Sequence, residues 1–83
     1  MLGSRISTLR RQQGMSQADL AGRLHISASA VGMYEQGRRQ PSLDLVVAMA
    51  EELKVSTDFL LTGKLWNTPD PQHKNVVFYY MVY

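Results

Sequence analysis

Apolar residues recur at helical spacing along the first 64 positions and are cut into short runs by Ser and Gly. Leu2, Ile6 and Leu9 stand at i, i+4 and i+7 and predict a first helix, with Arg5 and the Arg10–Arg11 pair partly outward and Gly14 as a left-handed stop. Ser16 is placed to cap a second helix, and Asp19, three residues on, gives a form of the capping box. Leu20 and Leu24 share a face of that helix with the small Ala21 beside them. A turn at His25-Ile26-Ser27 follows, and Ser27 caps a third helix that ends at Gly37, with Val31 and Tyr34 on its inner face. Two short amphipathic segments joined by so short a turn form an αα-corner, not one helix. Ala21 must be small where the third helix crosses close to it, and Leu20, Leu24, Ile26, Val31 and Tyr34 close the wedge between the pair.

Pro41 breaks the chain again, and Ser42 caps a fourth helix whose expected core face is Leu43, Val46, Val47, Ala50 and Leu53, with Glu51, Glu52 and Lys54 toward water. Ser56 caps a short fifth helix with Phe59 and Leu60 inward, closed by Gly63. From Lys64 the composition changes. KLWNTPDPQHK is a polar, Pro-interrupted linker, and NVVFYYMVY (residues 75–83) has the β-branched and aromatic profile of a strand. A lone strand needs an edge to pair with. Three origins for that edge stand open: the same strand of a second copy about a two-fold axis, a short partner at Leu65-Trp66 of the same chain, or none, if the tail is an end left by truncation. In the first case Val76, Val77, Phe78, Tyr79, Tyr80 and Met81 are the dimerisation residues. The expected organisation is therefore a helical domain over 1–64 and a linker with a dimerisation strand over 65–83.

Charge sharpens this picture. The net charge is +2 overall, but residues 1–39 carry a balance of +4 and residues 40–83 a balance of −2. The arginines thus coincide with the αα-corner, where a polyanion would need neutralising. Other chemistries find little support. There is no Cys, and His25 and His73 are far apart, so neither a disulfide framework nor a metal site is expected. No Ser-His-Asp grouping, paired carboxylates or Gly-rich phosphate loop is evident, so an enzyme is the weakest reading and no cofactor is expected. The longest apolar run, Val76 to Tyr83, is too short to span a bilayer, and a cytoplasmic protein without a membrane role is expected.

The corner QADLAGRLHISASAVGMYEQ, preceded by Ser16 and followed by GRRQPSLDLVVAMAEELKVSTDFLLTG, resembles the helix-turn-helix of phage repressors and Cro proteins, the Cro/CI-type or XRE family, from Leu2 to Lys64 without a gap. The resemblance implies an all-α, five-helix lambda-repressor-like DNA-binding domain, here with a C-terminal β-strand extension. It implies a sequence-specific transcriptional regulator that binds double-stranded DNA, as a homodimeric repressor on a pseudo-palindromic operator. The second helix of such a corner lies in the major groove, which makes Ser27, Ala28, Ser29, Gly32 and Met33 the expected base-contacting set. That set is small and uncharged and lacks the Gln, Asn or Arg of bidentate base contacts. Modest direct readout and a larger share for DNA shape and water are the consequence. Gln17, Arg11, Arg38, Arg39 and Gln40 are the expected phosphate contacts, and Arg10 and Glu35 match a structural ion pair of the family. The competing expectation is a protein-interaction module, an antitoxin or bridging factor that binds a second protein through VVFYYMVY.

Overall fold

The computed structural model describes residues 2–64. Five helices follow one another: α1 (Leu2–Gln12), α2 (Gln17–Leu24), α3 (Ala28–Glu35), α4 (Leu43–Leu53) and α5 (Thr57–Thr62). Among the described residues there is no strand; the strand expected over 75–83, with its dimerisation residues, and the Leu65-Trp66 partner lie outside them.

Serine opens four of the five helices. The hydroxyl oxygens of Ser16, Ser27, Ser42 and Ser56 accept from the N–H groups of Asp19, Ala30, Leu45 and Phe59 at 3.0, 3.1, 3.2 and 3.0 Å. Each satisfies one of the backbone donors that a helix start leaves without an intrahelical partner. At Ser16 the box is complete, because the Ser16 N–H also donates to Asp19 Oδ2 at 2.9 Å.

The ends share a device as well. Gly14, His25, Gly37 and Lys54 all take left-handed backbone with φ between 58° and 74°. After each of them the next N–H reaches back five residues: Met15 to Arg10 O, Ile26 to Ala21 O, Arg38 to Met33 O and Val55 to Ala50 O, at 3.0–3.1 Å. This is the Schellman stop, in which the residue after the left-handed one usually folds an apolar side chain back over the helix. Met15 is buried, and Ile26 and Val55 pack against the core. Arg38 is the exception: at that position α3 carries an exposed cation.

The core is Ile6 and Leu9 of α1, Met15, Leu20, Ala21 and Leu24 of α2 and its approach, Val31 and Tyr34 of α3, Val46, Met49, Ala50 and Leu53 of α4, and Leu60 of α5. Two expectations are corrected. The inner face of α4 is Val46, Met49, Ala50 and Leu53, whereas Leu43 and Val47 are exposed. Leu43 lies in the first turn, and Val47 sits one step round the helix from Val46, off the stripe that Met49 completes. Arg10, expected partly outward, is buried.

α1 and the turn that follows it tie the other helices down with their polar groups. Arg5 Nη1 donates to Leu60 O at 2.7 Å, and Gln13 Nε2 donates to Leu53 O at 2.5 Å, so each closes a carbonyl near the end of another helix. Gly3 lets α1 approach the end of α3 so closely that an added Cβ would lie 2.5 Å from Glu35 O and 2.6 Å from Tyr34 O. Both obstacles are backbone and cannot swing away. Gly3→Ala is therefore expected to cost about 1–3 kcal/mol, by analogy with overpacking. Gly22→Ala, at a helical site with nothing within 4 Å, should instead gain about 0.5–1 kcal/mol. Urea unfolding of the two variants measures both, and a Gly3→Ala protein as stable as the parent would mean that the helices can separate freely there.

Candidate nucleic-acid interface

The corner formed by α2 and α3 divides α3 into two faces. Val31 and Tyr34 are buried against α2 and the rest of the core, while Ala28, Ser29 and Met33 are exposed. Met33 has 40% of its surface accessible and stands outside the core. Ser27 stands at the start of this surface, but its oxygen is engaged in capping Ala30. Gly32 is half-buried, and the reason is specific. A Cβ built there would meet Nε2 and Oε1 of Gln17 at 3.7 Å, so the Gln17 carboxamide lies across Gly32 instead of leaving it open. Of the five residues expected to reach bases, Ala28, Ser29 and Met33 form the exposed strip, Ser27 edges it, and Gly32 underlies a side chain of α2.

Gln17 occupies the first position of α2. Neither the helix nor the Ser16 cap uses the N–H groups of Gln17 and Ala18, since the cap takes Asp19 and the first helical bond runs from Leu20 to Ser16 O. These donors sit at the positive end of the helix, a place suited to an anion. Arg38, Arg39 and Gln40 are exposed on the loop that leaves α3, and Arg11 is exposed at the end of α1. The Arg39 guanidinium carbon lies 6.0 Å from the centre of the Tyr34 ring, at the outer limit of a cation–π contact. That ring offers the Arg39 side chain a platform, which spacing along the chain gave no means of finding. An open cavity of about 300 Å³ flanks the loop, walled by the start of α1 and by Tyr34, Arg39, Gln40 and Pro41.

Behind the surface lies an ion pair. Arg10 Nε donates to Glu35 Oε2 at 2.6 Å and Arg10 Nη2 to Glu35 Oε1 at 3.1 Å, a two-pronged contact between side chains that are 8% and 7% exposed. Arg10 Nη1 donates to Met15 O at 2.8 Å, and Gln17 Nε2 donates to Glu35 Oε1 at 3.0 Å. The carboxylate thus links α1, α2 and α3, and the guanidinium adds the loop into α2. Burial pushes the Glu35 carboxyl up, but the hydrogen bonds from Arg10 and Gln17, with the charges of Arg10 and Arg11, outweigh it and hold the group below its usual range. The Glu35 hydrogen bond and charge likewise hold the Arg10 guanidinium up against the effect of burial. On the far side Arg23 and Glu52 approach to 3.7 Å as a solvated pair between α2 and α4, of little energetic weight.

Comparison with known proteins fits this geometry. The family described as helix-turn-helix matches residues 6–60. The chain belongs to the helix-turn-helix family. Among its relatives, the SPbeta prophage-derived uncharacterized HTH-type transcriptional regulator YonR of Bacillus subtilis (strain 168) is 40% identical over 63 residues, covering 76% of this chain and 58% of YonR. The P22 c2 repressor in complex with synthetic operator 9T superposes with a TM-score of 0.74 at 28% identity, covering 77% of this chain and 97% of that one. SinR, the master regulator for biofilm formation, in complex with DNA, superposes with a TM-score of 0.69 at 29% identity, covering 74% and 98%. The chain spans about half to three-fifths of the length of several curated relatives it matches. These relatives are transcriptional regulators of the XRE type, not enzymes, and the helix-turn-helix domain is what this chain shares with them. No helix of the described residues is long and apolar enough to cross a membrane, and no group of three potential metal ligands occurs among them.

The depressed Glu35 carboxyl is expected to make the domain acid-sensitive. A group whose acidity rises on folding stabilises the fold above its unfolded value, about 4.3 for Glu, and loses that contribution as pH falls through the folded value. Asp19, held low by its backbone and then its side-chain bonds to Ser16, acts in the same sense. The Tm is expected to be flat above about pH 5 and to fall below it. Glu35→Gln should lower stability near neutral pH by about 3 kcal/mol, because it leaves the Arg10 charge buried without its counter-charge, and should flatten part of the acid slope. Calorimetry across pH 3–7 checks both; an equal acid slope in the variant would show that other carboxylates control it.

Proposed function

We propose that this helix-turn-helix domain binds double-stranded DNA as a sequence-specific transcriptional regulator, acting as a repressor in the cytoplasm. The observation that supports the reading is the exposed strip Ala28, Ser29 and Met33 on α3, set beside the N–H donors at the start of α2, in a fold similar to that of the P22 c2 repressor, whose structure holds a synthetic operator. α3 enters the major groove and Ser29 acts as donor or acceptor to a base edge, while Ala28 and Met33 suit a thymine methyl. Gln17 and the α2 N-terminus take one phosphate, and Arg38, Arg39 and Gln40 track the backbone beyond α3, with Arg11 at the margin. Ser27 and Gly32 shape the edge of the contact surface and have little to offer a base directly. With no long polar side chain on the strip, operator choice leans on groove shape, bridging water and the spacing of half-sites.

Arg38→Ala with Arg39→Ala should weaken binding to every duplex alike and flatten the dependence of log Kd on log salt by about 2, one unit for each lost phosphate contact. Fluorescence anisotropy over a salt series reads both, and unchanged affinity would remove the loop from the interface.

The protein acts as a dimer on a pseudo-palindromic site, with two α3 helices about 34 Å apart. The β-branched and aromatic run Val76, Val77, Phe78, Tyr79, Tyr80 and Met81 supplies the dimer contact, and residues 65–83 form a unit separate from the 1–64 domain. Light scattering on residues 1–83 and 1–64 is expected to give a dimer and a monomer; equal masses would return the dimer contact to the helices. The alternative of an antitoxin or bridging module draws no support from the relatives, whose names are those of transcriptional regulators.

A further inference from the structure

Glu35 makes three side-chain hydrogen bonds, and only two of them belong to the ion pair. The third, from Gln17 Nε2, fixes a side chain at the first position of α2, on the surface where a phosphate is proposed to bind. Glu35 Oε1 is also the oxygen that receives the longer of the two Arg10 bonds, so Gln17 completes its coordination. Gly32 gives the carboxamide its resting place, since both polar atoms of the amide lie 3.7 Å from where a Cβ would stand. One Nε2 hydrogen is used by Glu35, which leaves the other hydrogen and Oε1 without an assigned partner in this bond.

Two physical consequences follow. A glutamine free in solvent loses rotamer freedom when it docks on a ligand, whereas one already anchored has lost it on folding, so its contact is stronger. A carboxylate this near a phosphate would also repel it, unless its charge is matched, and Arg10 supplies the match across two hydrogen bonds. Buried charge and surface contact are thus parts of one chain of bonds, Arg10 to Glu35 to Gln17.

We propose that Glu35 is a positioning residue for DNA binding: it holds the Gln17 carboxamide across Gly32 in the orientation that engages the DNA backbone, so the ion pair governs affinity as well as folding. The proposal rests on the DNA-binding reading given above. Because Gln17 acts on a phosphate, the effect is independent of sequence and is measurable on any duplex.

The test is a mutant cycle on the full 83-residue chain, read by anisotropy with a fluorescein-labelled duplex of about 20 base pairs of arbitrary sequence at low salt. The paired replacement Arg10→Met with Glu35→Leu removes the acceptor for Gln17 without stranding a buried charge, an exchange that folded proteins often tolerate. Gln17→Ala and the paired replacement should each weaken binding about threefold to tenfold, the range of one hydrogen bond. The triple variant should bind no more weakly than the paired replacement alone, with circular dichroism confirming that each is folded. Multiplying losses, or a paired variant that binds like the parent, would overturn the proposal while leaving DNA binding intact; a parent chain that binds no duplex at low salt would overturn the DNA-binding reading itself. A second measurement needs no mutation. In the NMR spectrum of the free protein, the Gln17 side-chain amide should exchange with solvent more slowly than those of the exposed Gln36 and Gln40, and equal rates would also overturn it.

Discussion

A guanidinium inside a domain of this size is tolerable only if its hydrogens find acceptors and its charge finds a partner. Arg10 meets both conditions through Glu35 and the carbonyl of Met15. The arrangement imposes a constraint on everything near it. α3 must end where Glu35 can face α1, the chain must turn after α1 so that Met15 presents its carbonyl, and α2 must begin within reach of the same carboxylate. Three separate backbone segments are thereby placed in one register before any apolar contact is counted. Hydrophobic burial supplies the driving force for the fold, but it is indifferent to direction, and these bonds are not.

α1 extends the same logic along its length. Ile6 and Leu9 are its only buried large apolar residues, yet Gly3, Arg5, Arg10 and, one residue past its end, Gln13 each meet a carbonyl or the end of another element. Helices of six to eleven residues expose a large fraction of unpaired carbonyls for their size. Left-handed stops satisfy some of these groups and α1 satisfies others. The first helix behaves as a tie-bar across the ends of its successors, and this leaves the outer face of the α2–α3 corner clear of structural duty.

Much of this could be read from the residues alone. Ser16, Ser27, Ser42 and Ser56 mark helix starts because a serine hydroxyl can accept from a backbone N–H three residues on, a local fact that survives any tertiary context. Gly14, Gly37 and Gly63 mark ends for a similarly local reason. The buried set of α2 and α3 followed from period and side-chain size. What escaped was set by geometry between elements. Leu43 and Val47 look as apolar as Met49, and only the angle at which α4 crosses its neighbours decides that Met49 is covered and they are not. Gln17 and Gly32 are fifteen residues apart and carry no pattern that joins them; their contact exists because α2 and α3 cross just there. The platform that Tyr34 offers Arg39 is of the same kind, visible only once α3 and its following loop are built.

The stop at the end of α3 has a consequence for how such a domain can change over time. At Met15, Ile26 and Val55 the residue after the left-handed turn is buried in the core or packed against it, so exchanging it disturbs packing. At Arg38 the same main-chain bonds hold the position, but the side chain stands outside. The backbone there is specified independently of what it displays, and residue 38 becomes a socket into which charge can be inserted or withdrawn without renegotiating the core. A lineage carrying this fold could therefore change the charge displayed at that one point by single substitutions, leaving the folded scaffold intact.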